Sequence, residues 1–155
     1  MVFLPRKFAP YGISRSFNPN ASPLRKPVID HIDHIVLTTR DKEACIRFYT
    51  QALGMKLEAF RTPSEERLAL KFGSQKINLH EWGREFSPRA HVAVPGSLDL
   101  CFIASVPLEE VMKRLEAAGI AIIEGPVMKT GATSKLRSVY VRDPDLNLVE
   151  ISETV

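Results

Sequence analysis

From residue 30 onward, apolar and polar positions alternate in short runs, interrupted twice by a longer spacing. Ile32 to Thr39 reads as a strand with His34 and Val36 on one face. Asp41 or Thr39 can then cap a helix whose buried stripe is Ala44, Cys45, Phe48, Tyr49, Ala52 and Leu53. Gly54 stands where a helix-ending glycine belongs. Period-two runs near 55–61, 66–72 and 75–81 predict three strands, with turns at Arg61 to Glu66 and at Gly73-Ser74. Glu81 to Ser97, with Gly83, Pro88, Pro95 and Gly96, reads as a linker.

The order then repeats. Leu98 to Ala104 is a strand, and Pro107 opens a helix with Leu108, Val111, Met112, Leu115 and Ala118 as its stripe and Gly119 as its stop. Strands near 120–126, 136–142 and 147–153 finish the chain. Asp143-Pro144-Asp145 supplies the last turn, since proline presets φ and aspartate bonds the local backbone. His34 to Asp99 and Gly54 to Gly119 are both offsets of 65 positions. The reading is α+β: two tandem βαβββ modules, at about 31–81 and 97–153 with linker 82–96. They form a cup-shaped mixed β-sheet with helices outside.

Composition adjusts this only at the edges. The 155 residues suffice for one domain, placed here at 30–155. The net charge of +3 is carried by residues 1–29, whose Arg6, Lys7, Arg15, Arg25 and Lys26 meet no acid before Asp30. This proline-rich segment reads as an extended arm. It fits a mitochondrial targeting peptide or an arm draped on a partner; its prolines oppose the helix such peptides form. The rest of the chain is slightly acidic, which argues against nucleic acid. No apolar run approaches the ~20 residues of a membrane span. Cys45 and Cys101 form no CxxC and read as reduced core thiols in the cytoplasm, a mitochondrial location being the alternative.

Candidate chemistry follows from the alternation. If the apolar residues of each strand face the helices, Asn78 and His80, Asp99 and Glu150 face the cup. His34 joins them from the first strand. Each of these alone is an ordinary polar strand residue. Together, His34, His80, Asp99 and Glu150 suit a divalent transition metal: Fe, Mn, Zn, Ni or Co rather than Ca or Mg. Three or four protein ligands leave room for substrate.

The motifs Ile32-Asp33-His34-Ile35-Val36-Leu37, Phe48-Tyr49-Thr50-Gln51-Ala52-Leu53-Gly54 and Tyr140-Val141-Arg142-Asp143-Pro144-Asp145-Leu146-Asn147-Leu148-Val149-Glu150 resemble the vicinal oxygen chelate superfamily. That superfamily includes glyoxalase I, fosfomycin-resistance proteins and extradiol dioxygenases. Phe72 to Glu81 and Val94 to Asp99 narrow the resemblance to a branch typified by glyoxalase domain-containing protein 5. The resemblance implies a divalent metal, with His34 matching the first-strand ligand and Glu150 the last-strand ligand. Asp99 departs from the histidine usual at its position, so it implies a ligand or base there, with His80 as a substitute ligand. His80 and Glu81 compete as the partner of Glu150 in the repeat, and His80 keeps Ile77 towards the helices. Tyr140, ten residues before Glu150, matches a substrate-side tyrosine or a packing aromatic. Lys135 and Arg137 offer cations to an anionic substrate or to solvent. Trp82, Phe86 and His91 cover the cup mouth, a dimer contact or the core.

The implied activity is a metal-dependent lyase or isomerase of glyoxalase type acting on a small molecule with two adjacent oxygens. Glu150, Tyr140 and Asp99 are the catalytic candidates. An extradiol catechol dioxygenase and a non-catalytic small-molecule binder of the bleomycin-resistance type are the alternatives. A homodimer is the implied assembly.

Overall fold

In the computed structural model, residues 28–61 and 66–155 are described. The predicted basic arm, apart from residues 28 and 29, lies outside them, as does most of the turn from Arg61 to Glu66. The first module runs β1 (His34–Thr39), α1 (Lys42–Arg47), β2 (Lys56–Arg61), β3 (Glu66–Phe72) and β4 (Gln75–Glu81). The second runs β5 (Asp99–Ile103), α2 (Leu108–Ala117), β6 (Glu124–Thr130), β7 (Lys135–Arg142) and β8 (Leu148–Thr154). The βαβββ plan is therefore present twice. It forms two four-stranded sheets ordered β1-β4-β3-β2 (sheet 1) and β5-β8-β7-β6 (sheet 2). In each sheet the first and last strands of the module pair in parallel and the remaining pairs are antiparallel.

Local chemistry sets the boundaries. Asp41 caps α1 by accepting from the Ala44 amide at 2.9 Å. The helix widens into one π-helical turn over Phe48–Ala52, which buries Phe48 and Tyr49 side by side. Gly54 then leaves at φ 73°, a conformation an L side chain resists. The sixth strand departs from expectation. Ile120 to Ile123 alternate like a strand, but regular pairing starts at Glu124 and runs to Thr130. Ile120 and Ile122 instead pack on the core from a segment ahead of the strand. Gly125 allows β6 to close on β7, because a Cβ there would lie 2.5 Å from the Ser138 carbonyl oxygen.

The covered faces of both sheets feed one hydrophobic cluster. Leu37, Leu70, Ile77 and Leu79 enter it from sheet 1, Val139, Val141, Val149 and Ile151 from sheet 2, and Leu108, Val111 and Leu115 from α2. Polar ties join the modules as well. The Tyr49 hydroxyl donates to Asp143 at 3.0 Å, and the Arg40 amide donates to Asp145 at 3.0 Å. Asp143 also accepts from the amides of Asp145 and Asn147 and from the Asn147 side chain. Asn147 accepts in turn from the Leu98 amide at 2.9 Å, which anchors the start of β5. No helix among the described residues is long and apolar enough to cross a membrane.

Candidate functional site

With one face of each sheet spent on the core, the opposite face carries the chemistry. On sheet 1 the register lays out three rows across the strands. His34 lies opposite Lys76, which lies opposite Lys71 and then Lys56. Val36 leads to Asn78, Ala69 and Glu58. Thr38 lies opposite His80, and Phe60 opposite Arg67.

His34 is exposed, with Nδ1 2.7 Å from the Asp33 carboxylate. That contact places the ring proton on Nδ1 and leaves the Nε2 lone pair for a ligand, the arrangement in which a histidine binds metal. Asn78 Oδ1 is buried and has no hydrogen-bond partner among the described residues. A buried oxygen in that state favours an incoming donor or cation.

His80 shares the face with His34 but not the place. It stands four residues further along, about 13 Å at roughly 3.3 Å per residue. Its ring is buried and meets Phe86 edge-on at 5.0 Å. Arg67 lies over the other part of the same phenylalanine at 4.3 Å. Phe86 of the linker therefore closes the His80 end of sheet 1, and His34 and His80 are not brought together within one chain. Trp82 remains half exposed, with Arg40 stacked on it.

On sheet 2, Asp99 lies opposite Leu148 and Cys101 opposite Glu150. Tyr140 flanks Glu150 from β7. Partial burial and its hydrogen bond to the Glu150 carboxylate push the Tyr140 phenol up to about 12. It is thus a proton donor throughout the neutral range. Ser152 donates to Glu150 at 3.3 Å and lies 2.8 Å from Ser138 and 3.5 Å from Cys101. Burial raises the Cys101 thiol, so it stays protonated rather than nucleophilic.

The register also shows which residue of module 1 corresponds to Glu150. Glu150 lies two positions beyond Leu148, the residue opposite Asp99. The residue two positions beyond Lys76, the one opposite His34, is Asn78. The equivalence expected from sequence, Glu150 with His80 or Glu81, is therefore replaced by Asn78 at an offset of 72. His34 with Asn78, and Asp99 with Glu150, are corresponding diagonal pairs. Sequence reasoning missed Asn78 as a candidate because it belongs to no ligand motif; only the strand pairing singles it out. Among the described residues no three His, Cys, Asp or Glu side chains converge as an ion-holding group.

Arg137 serves elsewhere. It pairs with Glu109 and, at 2.8 Å, with Glu153, whose other oxygen accepts from the Leu108 amide. This network fastens the first turn of α2 to the covered face of sheet 2. Lys135 is exposed at the start of β7.

Comparison with known proteins agrees with the duplicated fold. Residues 31–151 match the model of the Glyoxalase/Bleomycin resistance protein/Dioxygenase superfamily. The chain is 52% identical over 128 residues to Virulence protein STM3117 of Salmonella typhimurium, covering 83% of this chain and 87% of that one. The crystal structure of that protein superimposes with a TM-score of 0.78 at 51% identity, over 83% of this chain and 100% of that chain. Glyoxalase domain-containing protein RDO1 of Mycosarcoma maydis is 48% identical over 128 residues, 83% of this chain and 70% of its own. The chain belongs to the glyoxalase/bleomycin resistance protein/dioxygenase superfamily.

Proposed function

We propose that the protein is a homodimeric, divalent-metal-dependent enzyme of glyoxalase type, a lyase or isomerase acting on a small molecule with two adjacent oxygens. Members of this superfamily commonly use divalent metals, bind small molecules and often dimerise. The observation that carries the reading is the pair of equivalent diagonals, His34 with Asn78 and Asp99 with Glu150, on the open faces of two sheets built alike. One imidazole, one amide oxygen and two carboxylates form a donor set suited to a borderline divalent ion. The oriented His34 ring and the buried Asn78 oxygen fit such an ion.

A second copy supplies the missing proximity. β1 and β5 are outer strands of their sheets, and both line a groove of about 660 Å3 with Phe72, Phe102 and Val106. Such edges invite pairing with another chain. Val36 and Ile103 on them are 41% and 56% exposed. In the dimer, His34 and Asn78 of one copy meet Asp99 and Glu150 of the other.

The bound metal would supply Lewis-acid polarisation of the substrate's oxygen pair. Glu150 would accept a proton from the substrate carbon that bears one of the two oxygens, and Asp99 would be the second carboxylate at that position. Tyr140, protonated and donating to Glu150, would orient that carboxylate and turn its oxygen lone pair to a donor of the substrate. A catechol dioxygenase of the two-histidine type would require His80 beside His34, and roughly 13 Å along the strands separates them.

The test is complementation with metal content as the readout. His34→Ala and Glu150→Gln, each purified alone, should bind no stoichiometric Mn2+. Subunits mixed by mild unfolding and refolding should regain about a quarter of the wild-type sites, because each mixed dimer holds one intact site. No recovery on mixing would overturn the shared site. A wild-type protein that binds no transition metal at micromolar level would leave a non-catalytic binder.

A further inference from the structure

Two buried serines stand on the open face of sheet 2, one pleat repeat beyond Glu150. Ser152 follows Glu150 on β8 by two positions, and Ser138 lies opposite Ser152 on β7. Their hydroxyl oxygens are 2.8 Å apart. A cross-strand pair of hydroxyls is an ordinary way to satisfy two buried polar groups. What sets this pair apart is where its second hydrogen goes. The Ser152 hydroxyl donates to Glu150 Oε1 at 3.3 Å. Its oxygen is then left to accept, so the hydrogen between the serines comes from Ser138. The Cys101 sulfur, 3.5 Å from Ser152 Oγ, is a weak partner beside a charged carboxylate. The hydrogen bonds therefore run one way, from Ser138 to Ser152 to Glu150.

Tyr140, beside Glu150 on β7, donates to the same carboxylate. A phenol from the neighbouring strand and a hydroxyl from its own strand thus both direct hydrogens at Glu150. A carboxylate has about four lone-pair sites, so about two stay unused. Ser138 is 0% exposed and ends the series inside the protein, which offers a proton no route to solvent. The arrangement suits holding the carboxylate rather than carrying its proton. Sheet 1 sharpens the contrast. At the offset of 72 that relates Glu150 to Asn78, the place of Ser152 is taken by His80, whose ring meets Phe86. Asn78 Oδ1 accepts no hydrogen bond among the described residues. The neutral oxygen is left unsupported and the charged one is supported.

We propose that Ser152, backed by Ser138, is a positioning residue for Glu150. The two serines fix the rotation of the carboxylate, so that the lone pairs left by Ser152 and Tyr140 point to the open side of sheet 2, where ion and substrate would bind. This rests on the proposed reading that Glu150 is a metal ligand and base. It adds two residues that touch neither ion nor substrate. Without Ser152 the carboxylate is free to turn about its bond to Tyr140, and an incoming ion has to arrest that motion before it is held.

The test takes the full-length protein through two measurements: Mn2+ affinity by electron paramagnetic resonance, and crystal structures of the metal-free form. Ser152→Ala should weaken Mn2+ binding about tenfold and Ser138→Ala about threefold. The double variant should bind no more weakly than Ser152→Ala, because Ser138 acts only through Ser152. Ser134→Ala, in the turn between β6 and β7, should leave the affinity unchanged. In metal-free crystals the Glu150 carboxylate should keep one orientation in the wild type and turn or split in Ser152→Ala. An unaltered affinity, additive losses in the double variant, or a Glu150 that keeps its orientation in Ser152→Ala overturns the inference. If Ser152→Ala does not fold, Ser138→Ala carries both measurements, and wild-type behaviour there overturns it equally. A wild-type protein that binds no Mn2+ sinks the metal reading, and the crystals alone then decide this inference: a turned or split Glu150 sustains it, an unmoved one ends it.

Discussion

Sheet 1 and sheet 2 present the same rows of open-face positions in the same strand order, filled with different chemistry. Sheet 1 offers an imidazole, an amide and a set of cations: His34, Asn78, Lys76 and Arg67. Sheet 2 offers Asp99, Glu150 and Glu124 with a phenol and two serine hydroxyls. A duplicated backbone thus carries an imidazole, an amide and basic side chains on one open face and carboxylates and hydroxyls on the other. The covered faces show no such division, since Leu37, Ile77, Val141 and Val149 play the same packing role in either half. Burial constrains the inner residues to be apolar and leaves the outer ones free to diverge.

That division can be broken from either side. The largest effect is expected at the carboxylates. Glu150→Gln should weaken Mn2+ binding by about 100-fold, whereas Asn78→Ala, which removes only a neutral oxygen, should cost a few-fold. Equal losses in isothermal titration would mean that the halves contribute alike. A smaller effect is expected one shell out. Asp33→Asn removes the charge that fixes the His34 tautomer and should cost about tenfold in affinity. Because Asp99 has no such histidine to orient, Leu98→Asn, the matching change ahead of β5, should leave the metal affinity within about threefold. The smallest effect concerns stability. Cys45 has an ordinary pKa of 9.0 and is pushed up to about 12 by burial and by Asp143 and Asp145 nearby. Tyr140 is raised from 10.0 to about 12. Both groups hold their protons more tightly folded than unfolded. Stability is therefore full below about pH 9 and declines as pH rises towards 12. Chemical denaturation at pH 8 and pH 11 should show a lower midpoint at pH 11, and Cys45→Ala should reduce the drop.

The duplicated plan was legible because alternation, helix stripes and stop signals all agree locally. Asp41 caps as expected, and Gly54 and Gly119 leave their helices at φ 73° and 69°. The face of each strand residue was legible too, since period two fixes it. What alternation does not fix is the slide of one strand along its neighbour, which depends on turns. That is why His80 stood for Asn78: both face the same way, and only the pairing with β1 separates them by one pleat repeat. The start of β6 was misplaced for a related reason: Ile120 and Ile122 alternate like strand residues but pack on the core, and the chain reaches β7 only where the Ile123 amide donates to the Tyr140 carbonyl at 2.8 Å, just ahead of Glu124. Of the two cations offered to an anionic substrate or to solvent, Lys135 is exposed and Arg137 is turned to the covered face, where Glu109 and Glu153 hold it.

Asp143 gathers four donors, three from its own turn and one, the Tyr49 phenol, from the other module. With the Arg40 amide on Asp145, that bond across the repeat makes the two halves interdependent. Burial raises the Tyr49 phenol well above its ordinary range, so the hydrogen is held in place across all physiological conditions. Excising either half would strand one partner in an apolar setting: a buried phenol with nothing to accept its proton, or a turn carboxylate short of a donor. The chain, although built from a repeat, should therefore melt as one cooperative unit, and neither module alone should fold with its buried polar groups satisfied.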